Sequence, residues 1–159
     1  MKITIISVGK IKEKYFKDAV LEYSKRLSRF CKLSVIELSD EKIPDNCNDS
    51  LEEMIKRKEA GEILKRIDKA STIVALDIRG SMLDSLELAE KISNCQLYGK
   101  SNISFVIGGS LGLHDDVLDI VNYRLSFSKM TFPHKLMRVI LLEQLYRAFK
   151  IMNNETYHK

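Results

Sequence analysis

Two loops of small and polar residues follow apolar runs in the C-terminal half of the chain, and both are suited to binding a small molecule. The apolar run 103–107 leads directly into a turn with three glycines in residues 108–112, and the run 123–127 opens into the loop 128–133. Glycine lets backbone approach a ligand closely and adopts positive φ without a steric penalty. Because open α/β sheets bind ligands beyond the carboxyl ends of their strands, the two loops are predicted to build one pocket. A purely structural turn is the alternative.

The last three residues could also take part in chemistry. Tyr157, His158 and Lys159 supply an aromatic ring, an imidazole and an ammonium group. Together these groups could stack on a base, move a proton and hold a phosphate. The alternative is a frayed tail, since terminal residues are commonly poorly ordered.

The glycine turn also fits a serine hydrolase. Residues 108–112 read G-x-S-x-G around Ser110, which is the pattern of a nucleophile elbow between a strand and a helix. The acids follow Ser110 by only five to nine residues, on the helix that an elbow serine begins, and this makes it hard for them to reach behind a histidine. A serine hydrolase is therefore the less favoured alternative. Its candidate acids and histidines are Asp115, Asp116, Asp119, His134 and His158.

No pattern in the chain indicates metal binding. His114, Asp115 and Asp116 are adjacent, but the other histidines are isolated in sequence and no pair has the spacing of helical metal ligands. We expect no metal cofactor, and we expect His114 to cap or open the helix that follows it.

Positive charge is concentrated near the C-terminus. The net charge is +4, and residues 121–159 carry seven Lys or Arg against two Glu, whereas residues 1–120 are nearly balanced. A basic surplus beside the predicted pocket suits binding to a phosphate backbone. A solvated helix face is the alternative.

Length and composition are those of a globular protein. The 159 residues, 45% of them hydrophobic and 30% charged, predict a single domain over residues 1–159. No apolar run is long enough for a membrane span, and the first residues are typical of a strand and not of a secretion signal. Cys31, Cys47 and Cys95 form no C-x-x-C pair, so we expect reduced thiols in a cytoplasmic protein.

Apolar runs rich in Ile, Val and Leu alternate with helical patterns along the chain. This alternation predicts an α/β fold with a mainly parallel sheet flanked by helices. Ser50 and Asp84 are expected to cap helices, and Pro133 suits the first turn of the last helix. The predicted strands lie near residues 2–8, 32–38, 72–77, 103–107 and 123–127, and the predicted helices near residues 13–29, 51–69, 84–96, 114–121 and 134–152.

The last predicted helix is apolar on more than one face. A one-sided helix needs only about three apolar positions in seven. The excess predicts a homodimer with this helix in its interface, and burial of the helix within one chain is the alternative. Its apolar residues include Leu136, Val139, Ile140, Leu145 and Phe149.

Five motifs, spread in order over essentially the whole chain, resemble the bacterial ribosomal RNA large-subunit methyltransferase H family. These motifs are LDIRG at 76–80, FVIGGSLG at 105–112, LSFSKMTFPH at 125–134, EQLYRA at 143–148 and YHK at 157–159.

The resemblance implies a SPOUT-class methyltransferase with a deep trefoil knot in the C-terminal part of its α/β fold. It implies transfer of a methyl group from S-adenosylmethionine to N3 of a pseudouridine in 23S rRNA. The family acts on the assembled ribosome as a homodimer. A ribosome-binding module that keeps the cofactor pocket but lacks turnover is a further alternative.

The resemblance also implies which residues bind the cofactor. By motif match they are Leu76, Gly108 and the run 127–132, and apolar side chains among them could cover the flat adenine. Ser110 and Leu111 stand where some relatives carry Pro-Glu, so a carboxylate there is not essential in this chain unless another group replaces it. The members of the run are Phe127, Ser128, Lys129, Met130, Thr131 and Phe132.

Roles at the RNA follow from the same match and from side-chain chemistry. His158 is the expected general base, because a neutral histidine can accept a proton near pH 7. Tyr157 is expected to stack on the target base or to hydrogen-bond to it. The residues expected to contact RNA are Lys135, Arg138, Arg147 and Lys159.

Overall fold

The structure, a computed structural model, describes residues 1–157. Within these residues, strands and helices alternate as the sequence predicts. The strands are β1 (Lys2–Val8), β2 (Lys32–Leu38), β3 (Thr72–Met82), β4 (Asn102–Ile107) and β5 (Tyr123–Ser126). The helices are α1 (Lys14–Leu27), α2 (Asp49–Arg66), α3 (Ser85–Leu97), α4 (Asp115–Leu118) and α5 (His134–Met152).

The five strands form one sheet in the order β2-β1-β4-β3-β5, and every neighbouring pair is parallel. This confirms the predicted α/β fold with a parallel sheet flanked by helices. Because all strands run the same way, the loops that follow β3, β4 and β5 leave the sheet at one edge, from three adjacent strands. The trefoil knot implied by the resemblance stays a prediction.

Helices cover both faces of the sheet, and successive strand residues alternate between the two layers. Ile5 and Phe105 face the layer of α1, α3 and α5, where they pack with buried residues such as Leu145. Ile6 and Val106 face the opposite layer of α2 and α4. Since the central strands are buried on both sides, they read as continuous apolar runs, which is why their positions could be predicted closely.

Strand β3 extends five residues beyond its predicted end. Its pairing with β5 shifts register between Leu76 and Ser81, so an irregular segment separates two paired stretches. Gly80 makes the second stretch feasible, because a Cβ at this position would lie 2.6 Å from the carbonyl carbon of Arg124. Strands were predicted from apolar runs, so the extension was missed because several of its residues are polar.

The helix starts confirm two expectations and correct one. The side chain of Asp84 accepts from the backbone N–H of Glu87 in a full capping box, as expected. His114 caps α4, because its Nδ1 accepts from the backbone N–H of Asp116 at 3.0 Å. The Ser50 prediction is wrong, since Asn48 caps α2 by accepting from the N–H of Leu51 at 2.9 Å. An asparagine two residues earlier satisfies the same free amides.

Helix α5 is more fully covered by its own chain than its sequence suggested. It packs against α1 and α3, and each of its residues is buried or half-buried. The apolar excess from which we predicted a homodimer is therefore partly accounted for within one chain. The homodimer stays a prediction. Among residues 1–157, no helix combines the length and apolar character that crossing a membrane requires.

Candidate active site

A cavity of about 1110 Å³ opens at the carboxyl edge of the sheet. Its lining comes from residues 76–79 within β3 and from the ends of β4 and β5 with the segments that follow them, and the starts of α1 and α5 contribute one side. The predicted meeting of the 108–112 turn and the 128–133 loop is confirmed. Both segments contribute to the lining of this one cavity.

Seven of the eight residues expected to bind the cofactor line this cavity. The eighth, Lys129, lies on the same loop with an exposed side chain and does not line the cavity. Their location agrees with the expected role, which itself stays a prediction. The seven are Leu76, Gly108, Phe127, Ser128, Met130, Thr131 and Phe132.

The glycine turn disfavours side chains at two of its positions, Gly108 because of crowding and Gly112 because of its backbone conformation. A Cβ on Gly108 would lie 2.8 Å from the carbonyl carbon of Gly112, and the Gly112 N–H donates to the Gly109 carbonyl at 3.1 Å. Gly112 adopts φ +82°, a conformation that favours glycine. The turn therefore presents backbone to the cavity.

A buried carboxylate stands behind this turn. Glu59 of α2 is 7% exposed, and its Oε2 would lie 3.0 Å from a Cβ on Gly109. Its Oε1 accepts from the backbone N–H of Glu41 at 3.2 Å. Burial raises the pKa of the Glu59 carboxyl above its ordinary value, against the lowering effect of that hydrogen bond. Glu59 thus joins the 40–41 loop to the rear of the glycine turn.

The loop after β5 is braced by its own serines. Ser126 Oγ donates to the carbonyl of Ser128 at 3.0 Å, and Ser128 Oγ accepts from the backbone N–H of Met130 at 2.9 Å. These two bonds fix the backbone between Phe127, which packs against the core, and Met130, which is 73% exposed. The loop can therefore present a preformed edge to a ligand.

The opposite wall is formed where the loop after β1 meets the start of α5. A Cβ on Gly9 would lie 2.5 Å from His134 Nε2, and Lys135 Nζ lies 2.6 Å from Glu13 Oε1. The hydrogen bond from Lys135 is the main cause that lowers the pKa of Glu13 to about 2. Burial, followed by the charges of Arg138 and Lys135, lowers the pKa of His134. His134 therefore stays neutral near pH 7.

The expected contact between Arg138 and RNA is contradicted by its burial. Its side chain is 0% exposed and donates to Ser7 Oγ at 2.6 Å, to the Gly9 carbonyl at 2.8 Å and to the Glu37 carboxylate. Glu37 also accepts from the backbone N–H of Ile11 at 3.1 Å. Arg138 therefore ties α5 to the ends of β1 and β2, and its guanidinium has no surface to offer a phosphate. Its place in an apolar helix next to basic residues gave no signal of this burial.

Tyr157 packs on the side of α5, away from the cavity lining. Its ring lies edge-on to Tyr146 at 5.0 Å between centroids, and the Arg147 guanidinium lies 4.8 Å from its centre. Arg147 also pairs with Glu143 at 2.7 Å. Burial is the main cause that raises the pKa of the Tyr157 hydroxyl. The predicted base His158 and the predicted phosphate contact Lys159 lie outside the described residues.

The described residues give the serine hydrolase no support. Between residues 1 and 157, Ser110 makes no hydrogen bond to a histidine or an acid. His114 is committed to capping α4, and its Nε2 lies 2.7 Å from Glu53 Oε1. In the same part of the chain, no three His, Cys, Asp or Glu side chains form a group that could hold a metal ion.

The contribution of α1 and the residue before it to the cavity was not predicted from the sequence. Glu13, Tyr15 and Phe16 line it, as do Ile78 and Arg79 from the extended part of β3. The sequence did contain a feature that could have indicated the first of these contributions, because the adjacent aromatics Tyr15 and Phe16 stand among lysines in residues 10–17. From the sequence, this part of the chain was predicted only to contain the start of a helix near residues 13–29.

Comparison with known proteins identifies the family. Residues 1–158 match the family described as "Predicted SPOUT methyltransferase". The "Ribosomal RNA large subunit methyltransferase H" proteins of Clostridium novyi (strain NT) and Clostridium botulinum (strain Okra) are 61% and 59% identical to this chain. Each alignment covers the full length of both proteins.

Solved structures share the fold at low sequence identity. A "probable methylase family protein" from Haemophilus influenzae superposes with a TM-score of 0.56 at 16% identity, over 99% of this chain and 70% of the other. A "putative methyltransferase" from Legionella pneumophila, solved "in complex with the bound cofactor SAM", superposes with a TM-score of 0.51 at 8% identity, over 96% of this chain and 66% of the other. With the full-length family match, these findings lead to one conclusion: the chain belongs to the SPOUT methyltransferase family, whose members are methyl-transferring enzymes.

Proposed function

We propose that this chain transfers a methyl group from S-adenosylmethionine to N3 of a pseudouridine in 23S rRNA of the assembled ribosome. The family and the rRNA methyltransferase names of relatives about 60% identical over the full length support an rRNA substrate. The observation that carries the proposal is the cavity in which the glycine turn and the 127–132 segment meet. A ribosomal substrate would place the protein in the cytoplasm.

The lining of the cavity fits the proposed cofactor. Leu76 and Phe127 supply apolar surface for a flat adenine, and Met130 could fold over it from its exposed position. Gly108 and its neighbours leave open a cradle that a side chain would disturb, because a Cβ on Gly108 would press on Gly112. When bound, S-adenosylmethionine supplies a methyl group made reactive by its positively charged sulfur.

The protein then has two tasks in the reaction. It must hold the acceptor nitrogen in line with the methyl–sulfur bond, because correct alignment can supply much of the rate enhancement. It must also remove the proton from N3 of the pseudouridine before or during attack. We assign this proton transfer to the imidazole of His158, since histidine ordinarily titrates at about pH 6.5.

Tyr157 lies away from the cavity of its own chain, so the mechanism must explain how the C-terminal residues reach the substrate. Tyr157 packs beside Glu143, eight residues along α5 from the cavity residue Lys135, which corresponds to about 12 Å of helix. In the homodimer that we expect, the tail could act at the cavity of the second copy. Mixing Gly108→Ala and His158→Ala subunits would then restore one working site, whereas a site completed within each chain would gain nothing.

The direct test of the base is His158→Ala. We expect the variant to bind S-adenosylmethionine like the unchanged protein and to lose most methyl transfer to ribosomes. The matched control is His158→Gln, which keeps a polar side chain but cannot take up a proton near pH 7. Turnover that persists in both variants would remove His158 from the mechanism.

A further inference from the structure

Tyr15 exposes an aromatic ring that the packing of α1 does not require. Helix α1 packs through Val20, Tyr23 and Leu27, which contact the core. Tyr15 lies in the first turn of the helix, and 67% of its surface is exposed. Its ring centroid is 4.5 Å from that of Phe16, at an interplanar angle of 50°. The Phe16 ring therefore supports Tyr15 from one side while most of Tyr15 faces solvent.

Tyr15 stands at the cavity, and the segment before it is held in place. Tyr15, Phe16 and Glu13 are all part of the cavity lining. The contact between Gly9 and His134 and the ion pair between Glu13 and Lys135 fasten the loop before α1 to the start of α5. The Tyr15 ring thus belongs to a braced rim of the cavity.

Positive charge surrounds this ring in the sequence. Lys10 and Lys12 precede it and Lys17 follows it, all with exposed side chains. Within residues 1–157 these three lysines make no ion pair, whereas Lys14 pairs with Asp18 at 2.6 Å. The nearby carboxylate of Glu13 is already neutralised by Lys135. The segment therefore offers uncompensated positive charge beside an exposed aromatic.

We propose that Lys10, Lys12 and Tyr15 form an RNA-binding rim, in which Tyr15 stacks on a nucleobase next to the methylated one and the lysines contact flanking phosphates. Proteins that bind unpaired RNA combine these two elements, an aromatic face for a base and cations for the backbone. A target base can enter the cavity only if it leaves its own stack, and its neighbour then needs a new stacking partner. This inference rests on the proposed function.

The stacking step is tested on ribosomes that lack the modification. Tyr15→Ala should raise the dissociation constant for ribosomes, and the KM for them, by about 5- to 150-fold, the range that loss of one base–aromatic stack produces. Tyr15→Phe keeps the ring and should restore binding. The control is Tyr98→Ala, because Tyr98 is 80% exposed but lies before β4, at the other edge of the sheet.

The charge step is tested with Lys10→Gln/Lys12→Gln. If both lysines contact phosphates, the slope of log affinity against log salt should become shallower by roughly 1.4, the value for two contacts to a single strand. Lys32→Gln is the matched control, since Lys32 is exposed at the start of β2 on the distant edge. An unchanged slope in the double variant would remove the lysines from the rim.

Three results with Tyr15→Ala would overturn the rim. Equal loss of S-adenosylmethionine affinity would assign Tyr15 to the cofactor, a changed oligomeric state would assign it to a contact between copies, and unchanged ribosome affinity would leave it without a role. A failure of the proposed function looks different. In that case the unchanged protein itself transfers no methyl group to ribosomes, whereas failure of the rim alone leaves that activity intact.

Discussion

Lys135 Nζ lies 2.6 Å from Glu13 Oε1, and this contact joins the first turn of α5 to the residue before α1. Both residues line the cavity, so the pair forms part of its wall. Lys135 was expected to contact RNA, and its side chain is 26% exposed while its charge already has a partner. To bind an RNA phosphate, the Lys135 ammonium group would therefore have to weaken or leave its ion pair with Glu13.

Replacing Lys135 should release the carboxyl group of Glu13. In Lys135→Met we expect the pKa of Glu13 to rise from about 2 towards its ordinary value of 4.5, because the hydrogen bond from Lys135 is the main cause of the lowering. A pH titration followed by carboxyl carbon NMR measures this directly. Lys65→Met, which removes an exposed partner of Glu62 on α2, is the control and should leave Glu13 unchanged.

The same pair has a predictable effect on stability. Because the folded-state pKa of Glu13 is lowered, its contribution to stability is complete above pH 4.5 and is lost as the pH falls towards 2. Unfolding curves of Lys135→Met should therefore lose less stability over this range than those of the unchanged protein. Parallel losses in the two proteins would mean that the pair does not form in solution.

Removal of Arg138 should mainly affect stability. Arg138→Met removes one donor from each of Glu37, Ser7 and the Gly9 carbonyl, and breaking a buried ion pair costs about 3–5 kcal/mol. Since the Glu37 side chain is 35% exposed, we expect about 2–4 kcal/mol by urea unfolding. Arg29→Met, which breaks an exposed pair with Glu155, should cost less than about 1 kcal/mol. A stable Arg138→Met protein with weakened RNA binding would instead restore the surface role.

A methyl group at Gly108 should close the cofactor cradle. In Gly108→Ala the new Cβ would meet the Gly112 backbone at 2.8 Å, so the turn must shift and S-adenosylmethionine should bind roughly tenfold or more weakly by calorimetry. Gly61→Ala is the matched control, because nothing lies within 4 Å of a Cβ in that helical position. It should stabilise the fold by about 0.5–1 kcal/mol and bind the cofactor normally. Equal affinities in the two variants would place the cofactor elsewhere.

The homodimer predicts a mass of about twice 18.3 kDa in analytical ultracentrifugation. An interface built on the apolar surface of α5 should persist at high salt, because burial of apolar groups is not screened by ions. A single species of 18.3 kDa at micromolar concentration would contradict the prediction.

The sequence predicted the sheet better than the walls of the cavity. Runs such as residues 103–107 are largely apolar because helices cover both sides of the sheet, so a simple pattern located the strands, although it ended β3 five residues too early. The surroundings of individual side chains were harder to predict from the sequence. Arg138 looked like a surface cation because its partners, Ser7, Gly9 and Glu37, lie about a hundred or more residues away in sequence.

The rim of the cavity was also missed, for a related reason. Charge was compared between long segments, and the lysines around Tyr15 were offset by acids elsewhere in residues 1–120. Only the fold brings Tyr15 next to the loops from the C-terminal half. The N-cap of α2 was also placed wrongly. Asn and Ser are both favoured N-cap residues, and which of Asn48 and Ser50 caps the helix depends on where the backbone changes from extended to helical.

The proposed activity is tested most directly by transfer of labelled methyl from S-adenosylmethionine to ribosomes that lack this modification, with free rRNA as the comparison. We expect label in the ribosomes only, mapped to N3 of a single pseudouridine in 23S rRNA. Label in free rRNA as well would keep the activity and remove the need for the assembled particle. If a protein that binds the cofactor labels neither substrate, it does not carry out the proposed methyl transfer.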